Sequence, residues 1–171
     1  MNEPGTTRNN QTEALPHIVF ISLGSNVNPE INLVKAIQHL IKLVDIEAYS
    51  HVWETPPFGT TGHNFLNAVI KISTDLDAES LKATILRPVE TGLGRVRTND
   101  KFAPRTIDLD ILLFDDKLVE ANLWKQAFLA VPFAELYPGY THPVDFEPIN
   151  AVAEKLAKQT PMRRLDLPLI P

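Results

Sequence analysis

Two periods alternate along the chain, and their order predicts its elements. Residues 18–23, Ile-Val-Phe-Ile-Ser-Leu, form an apolar run that stops at Gly24, the mark of a buried strand. Val34, Ile37, Ile41 and Val44 then recur at helical spacing. An amphipathic helix is expected over 29–43, with Asn28 as its cap, Pro29 at its first position and Glu30 in its first turn. A second strand is expected near 46–54, ending in Trp53-Glu54-Thr55, and the Pro- and Gly-bearing stretch 56–64 reads as loop. A third strand, Phe65 to Ser73, puts Phe65, Asn67, Val69 and Lys71 on one face and Leu66, Ala68, Ile70 and Ile72 on the other.

Asp77 is placed to cap a second helix carrying Leu81, Ile85 and Val89. Pro88 lacks an amide hydrogen and clashes with the Thr84 carbonyl, so the helix is expected to kink or stop there. A fourth strand follows within 103–113, and short helices are expected over 127–136 and 148–158, the latter with Pro148 at its first position. The order β-α-β-β-α-β is that of an α+β, ferredoxin-like sandwich, here with extra C-terminal helices. Residues 1–16 are polar with no apolar segment, so they are expected to be a disordered tail rather than a signal peptide, with a single domain over 17–171.

Chemistry concentrates in Ala103-Pro104-Arg105-Thr106-Ile107-Asp108-Leu109-Asp110-Ile111. On a strand Asp108 and Asp110 project from one side while Ile107, Leu109 and Ile111 face a core. Two neighbouring carboxylates repel unless cations sit between them. Hard oxygen ligands suit Mg²⁺, which takes one or two carboxylates and completes its shell with water and phosphate oxygens. Arg105 can fork onto a phosphate and the Thr106 hydroxyl can donate to one. An edge strand with a polar face is the plainer alternative for Asp-x-Asp alone.

Composition narrows the classes. Hydrophobic residues make up 44% of the 171 and charged residues 22%, ordinary for a globular protein. The absence of cysteine excludes disulfides, thiolate metal sites and a Cys nucleophile. No apolar run is long enough to span a bilayer, so cytoplasm is the expected location. A net charge of −5 argues against a general nucleic-acid binder. Yet Arg87, Arg95, Arg97, Lys101 and Arg105 stand against only Glu90 and Asp100 over 87–105, a local excess of +3 beside the paired aspartates. That juxtaposition suggests a polyphosphate held with a metal. The five histidines, His17, His39, His51, His63 and His142, are scattered and form no metal-ligand pair.

Four motifs in order, Leu23-Gly24-Ser25-Asn26, Glu54-Thr55-Pro56-Pro57-Phe58-Gly59, Phe65-Leu66-Asn67-Ala68, and Gly94-Arg95-Val96-Arg97 leading to Ala103–Asp110, resemble the 6-hydroxymethyl-7,8-dihydropterin pyrophosphokinases of folate biosynthesis. The resemblance spans about His17 to Pro138. It implies transfer of pyrophosphate from ATP to the hydroxymethyl of a dihydropterin, with Asp108 and Asp110 holding two Mg²⁺ ions. It further implies a pterin pocket made by Thr55, Pro56, Phe58 and Asn67, with Phe65 and Phe128 as a stacking pair and Phe102 as an aromatic lid. Arg95, Arg97 and Arg105 match arginines around the nucleotide and its phosphates, and Glu90, Thr106 and Ile111 match nucleotide-side positions. Pterin and ATP are the expected partners, with neither nucleic acid nor membrane, and the oligomeric state is left open.

The chain departs from the family after the metal strand. A hairpin bearing a Pro-His element is missing between Glu120 and Phe128, and Gln126 stands where the family has an Arg. Charge-assisted hydrogen bonds of about 1.5–3 kcal/mol each are lost with those groups. A pyrophosphokinase with a trimmed ATP clamp and a pterin-binding relative with weak or no kinase activity, or with a variant pterin, therefore both remain. RNA-recognition modules share the same element order, but the chain lacks their aromatic and basic strand pattern.

Overall fold

The computed structural model describes residues 15–57, 62–97 and 103–170. Phe58 and Phe102 lie outside them, as does nearly all of the expected N-terminal tail.

The long apolar run becomes β1 (His17–Ser25), and it sits at the centre of an antiparallel sheet. On one side it pairs with β4 (Phe65–Thr74), and on the other with β5 (Asp108–Phe114). The sheet runs β6 (Lys117–Leu118), β5, β1, β4, β3 (Val52–Thr55), β7 (Arg163–Leu165), and β2 (Asp45–Tyr49) also pairs with β4. The register places Gly24 opposite Asn67 on one flank and opposite Asp108 on the other.

The expected second strand is broken in two. After β2 the chain steps at Ser50, whose hydroxyl accepts the Val69 amide at 2.9 Å while its own amide donates to the Val69 carbonyl, and it resumes as β3 (Val52–Thr55). Side-chain alternation divides the core as the pattern requires. Leu66, Ala68, Ile70 and Ile72 join Ile107, Leu109 and Ile111 under α1 (Pro29–Leu40) and the second helical run. Phe20 and Val69 pack on the opposite face against α4 (Ala127–Leu136) and α5 (Ile149–Gln159).

Three local expectations change. Asn28 occupies the cap position of α1 but adopts a left-handed conformation (φ 42°) with no side-chain cap bond. Asn tolerates that conformation, and Pro29 presents no amide at the first helical position. The helix of Ala78–Leu81 (α2) does not end near Pro88. A π-turn over Lys82–Leu86, closed by the Arg87 amide on the Lys82 carbonyl, widens the backbone just ahead of the proline. The run then continues as α3 (Arg87–Gly92). Asp77 does cap it, accepting the Ser80 amide at 2.8 Å. Two short strands were not anticipated. β6 (Lys117–Leu118) turns back on β5, and β7 (Arg163–Leu165) pairs with β3.

Candidate active site

The site lies where β1, β4 and β5 reach the same end of the sheet, on the face that carries α4. Gly24 separates Asn67 from Asp108 by two strand spacings, roughly 9–10 Å. Just past it, Ser25 and Asn26 bind the Pro-Arg-Thr segment to the strand end. The Ser25 hydroxyl donates to the Thr106 carbonyl at 2.6 Å, and Asn26 Oδ1 accepts the Arg105 amide at 2.7 Å. The Ser-Asn pair thus fixes the approach of Arg105 and the start of the aspartate strand.

Asp108 and Asp110 share one face and both line a cavity of about 500 Å³. Arg105 Nη1 donates to Asp108 Oδ2 at 2.6 Å, and Arg95 Nε stands 3.6 Å from Oδ1. Asp110 makes no ion pair among the described residues. Burial, then the neighbouring Asp108 charge, pushes its carboxyl above the usual carboxylate range, with Lys82 partly offsetting the rise. Internal cations therefore hold one acid, and open space remains beside both.

Asn67 faces them across Gly24. Asn67 Nδ2 donates to Thr55 Oγ1 at 2.9 Å, and Thr55 is 3% exposed. That bond turns Asn67 Oδ1 toward Gly24, where an added Cβ would stand 3.3 Å from it. Pro56, Phe65, Asn67 and Phe128 line the same cavity as the aspartates. Arginine, carboxylates, an amide and two aromatic rings thus converge on one space. Such a space suits a flat polar heterocycle joined to a phosphate group.

Other expected residues fall around it. Glu90 is only 2% exposed and bridges two elements. Its Oε1 accepts the Leu109 amide at 2.9 Å and its Oε2 accepts Arg97 Nη2 at 2.6 Å. Arg97 is consequently held more firmly protonated, chiefly through that hydrogen bond. Glu90 thus ties the second helical run to the backbone between the two aspartates. Ile111 packs in the core on the face opposite the cavity, and the Thr106 hydroxyl is buried without a partner. Neither residue is among those lining the cavity.

Ser22, Glu120, Asn122 and Gln126 complete the wall nearest the aspartates. Gln126 is legible in the sequence as a missing arginine. Glu120 and Asn122 carry no such signal, because the 3₁₀ turn Ala121–Trp124 that presents them has no periodicity of its own. No group of three or more metal-ligating side chains occurs among the described residues, so any metal here would draw the rest of its shell from ligand and water.

A profile of the family described as 7,8-dihydro-6-hydroxymethylpterin-pyrophosphokinase (HPPK) matches residues 20–138. A 2-amino-4-hydroxy-6-hydroxymethyldihydropteridine pyrophosphokinase of Aquifex aeolicus is 36% identical over 142 residues, covering 77% of this chain and 88% of that protein. A protein of the same name from Bacillus subtilis is 31% identical over 132 residues, covering 70% of this chain and 78% of its own. Folic acid synthesis protein FOL1 of Dictyostelium discoideum is 27% identical, and the match spans 22% of its length. A wild-type Plasmodium falciparum HPPK-DHPS crystal structure superposes with a TM-score of 0.66 at 13% identity, over 87% of this chain and 42% of that one, which shows likeness of fold. Motif order, fold and relatives agree: the chain belongs to the 7,8-dihydro-6-hydroxymethylpterin-pyrophosphokinase family of folate biosynthesis.

Proposed function

We propose that this pyrophosphokinase transfers the terminal diphosphate of ATP to the hydroxymethyl of 6-hydroxymethyl-7,8-dihydropterin, in the cytoplasm. The observation that carries the reading is the placement of Gly24 between Asn67 and Asp108, which puts a heterocycle-reading amide and paired carboxylates in one cavity. Asp110 fits a divalent cation. It is an oxygen donor without an ion pair among the described residues, and its ionised form is destabilised by burial. Asp108 and Asp110 would hold two Mg²⁺ ions. Bound there, Mg²⁺ neutralises phosphate charge and favours in-line attack.

The chain's own groups do the rest. Phe65 and Phe128 flank the pterin ring. Asn67 Oδ1, oriented by Thr55, accepts from the donor edge of the ring. Arg95 and Arg105 bind phosphate oxygens, and Arg97 approaches the nucleotide from the position that Glu90 sets. Incubation with Mg²⁺, ATP and the pterin should yield AMP and a pterin diphosphate, with turnover lost in Asp110→Ala. Undiminished turnover in that variant, or turnover without divalent metal, rules the reading out.

The cavity wall of Glu120, Asn122 and Gln126 favours a second reading, a pterin binder with a weakened nucleotide clamp, since it brings one carboxylate and two amides and no cation. Calorimetry separates the two. Pterin uptake without nucleotide uptake supports the second.

A further inference from the structure

This inference rests on the reading of the cavity as a metal and nucleotide site. The two aspartates of one strand face stand in unequal electrostatic positions. Asp108 is held from two sides by its own chain, by Arg105 at 2.6 Å and by Arg95 at 3.6 Å, whereas Asp110 forms no ion pair among the described residues. The two arginines also differ. Arg105 is a third exposed, while Arg95 is nine-tenths buried. Arg95 Nη1 donates to the Val96 carbonyl at 3.0 Å, but its buried Nε finds no hydrogen-bond acceptor, since 3.6 Å is too long for one. A buried guanidinium with an unfilled donor, aimed at a carboxylate, is ready to donate to a better-placed oxygen.

A divalent cation arriving alone must take Asp108 from Arg105 and Arg95, leaving two guanidiniums without that anion in a partly desolvated cavity. A nucleotide removes that penalty, because its phosphate oxygens match the guanidinium fork. We propose that Arg105 and Arg95 are exchangeable internal counter-ions of Asp108. They neutralise it in the ligand-free protein and pass to phosphate oxygens as the carboxylate passes to the metal. Metal and nucleotide then favour one another's binding, and linkage makes the coupling reciprocal.

Calorimetry tests this with Mg²⁺ alone, and with Mg²⁺ plus a non-hydrolysable ATP analogue, on wild type, Arg105→Gln and Arg105→Lys. Opposite responses are expected. Mg²⁺ alone binds Arg105→Gln about tenfold more tightly than wild type, the scale of one unit charge removed a few ångströms away. The metal–analogue complex binds that variant about tenfold more weakly. Arg105→Lys keeps the charge and stays within about twofold of wild type for Mg²⁺ alone. Arg105→Met, neutral and of similar length, repeats the test should the Gln variant fail to fold. A neutral variant that binds Mg²⁺ no better than wild type, while wild type takes up the metal–analogue complex, overturns the exchange and leaves the site reading standing. A wild-type chain that takes up no such complex overturns the site reading itself.

Discussion

Gly24 stands between the Asn67 amide on one strand and the Asp108 carboxylate on the other. A methyl at this position would press on Asn67 Oδ1 at 3.3 Å, and Asn67 has little freedom because Thr55 already holds its Nδ2. Gly24→Ala should therefore raise the pterin KM about tenfold, the scale of a reactive geometry displaced by a fraction of an ångström. The ATP KM and the melting temperature should hold. A second residue-level expectation concerns Asp110. Its carboxyl titrates above the ordinary range when folded, so its ionised form opposes folding at neutral pH, and the penalty fades as pH falls through the folded pKa. Without metal, Asp110→Asn should stabilise the protein by about 1 kcal/mol at neutral pH. Denaturation at neutral and acid pH should show that gain vanish on acidification, with Mg²⁺-dependent turnover lost throughout. The shared face of the two aspartates was legible from period-two alternation alone. Their unequal pairing was not, because Arg95 and Arg105 reach Asp108 through loop geometry that spacing does not encode.

Among the elements, β7 shows how the β3 side of the cavity is supported. It pairs with β3, and Arg163 donates to Glu54 Oε2 through Nε at 3.1 Å and Nη2 at 2.8 Å. Glu54 also accepts from the Asn64 side chain, and these bonds keep its carboxyl below the usual range despite some desolvation. It thereby joins the strand leading to Thr55 with the residue before Phe65. Leu165, Leu167 and the buried Leu169 anchor the same C-terminal segment in the main core. The two anchors should differ in strength. Leu169→Ala should cost about 2–5 kcal/mol, as removal of buried methyl groups does. Arg163→Gln should cost less than about 1 kcal/mol, because its ion pair is largely solvated. Chemical denaturation of the two variants checks the ranking. The long strands and α1 were legible because their apolar periods run over many residues. β7 was not, since Arg163-Arg164-Leu165 carries neither alternation nor a turn signal.

At the scale of the whole molecule, the family match ends at residue 138, yet α5 and β7 beyond it complete the second core and the sheet edge beside the site. The sandwich was readable from element order, while the cavity required knowing which strand ends meet, a matter of pairing rather than composition. The π-turn at Lys82–Leu86 has a consequence for how this chain compares with others. It accommodates one residue more than a regular helix would over the same rise. Deleting Ala83 would remove the surplus and let the run wind as a regular α-helix, with the residues from Arg87 onward keeping their places. Wound as α with every residue kept, the run beyond the turn would instead rotate by about 100°. In that unbroken helix Val89 would stand where Glu90 now joins Arg97 to the Leu109 amide, with no carboxylate to make either bond. The surplus residue aims the bridge, so a chain one residue shorter across this turn would keep a carboxylate in register with Glu90 only if the missing residue is placed at the turn itself.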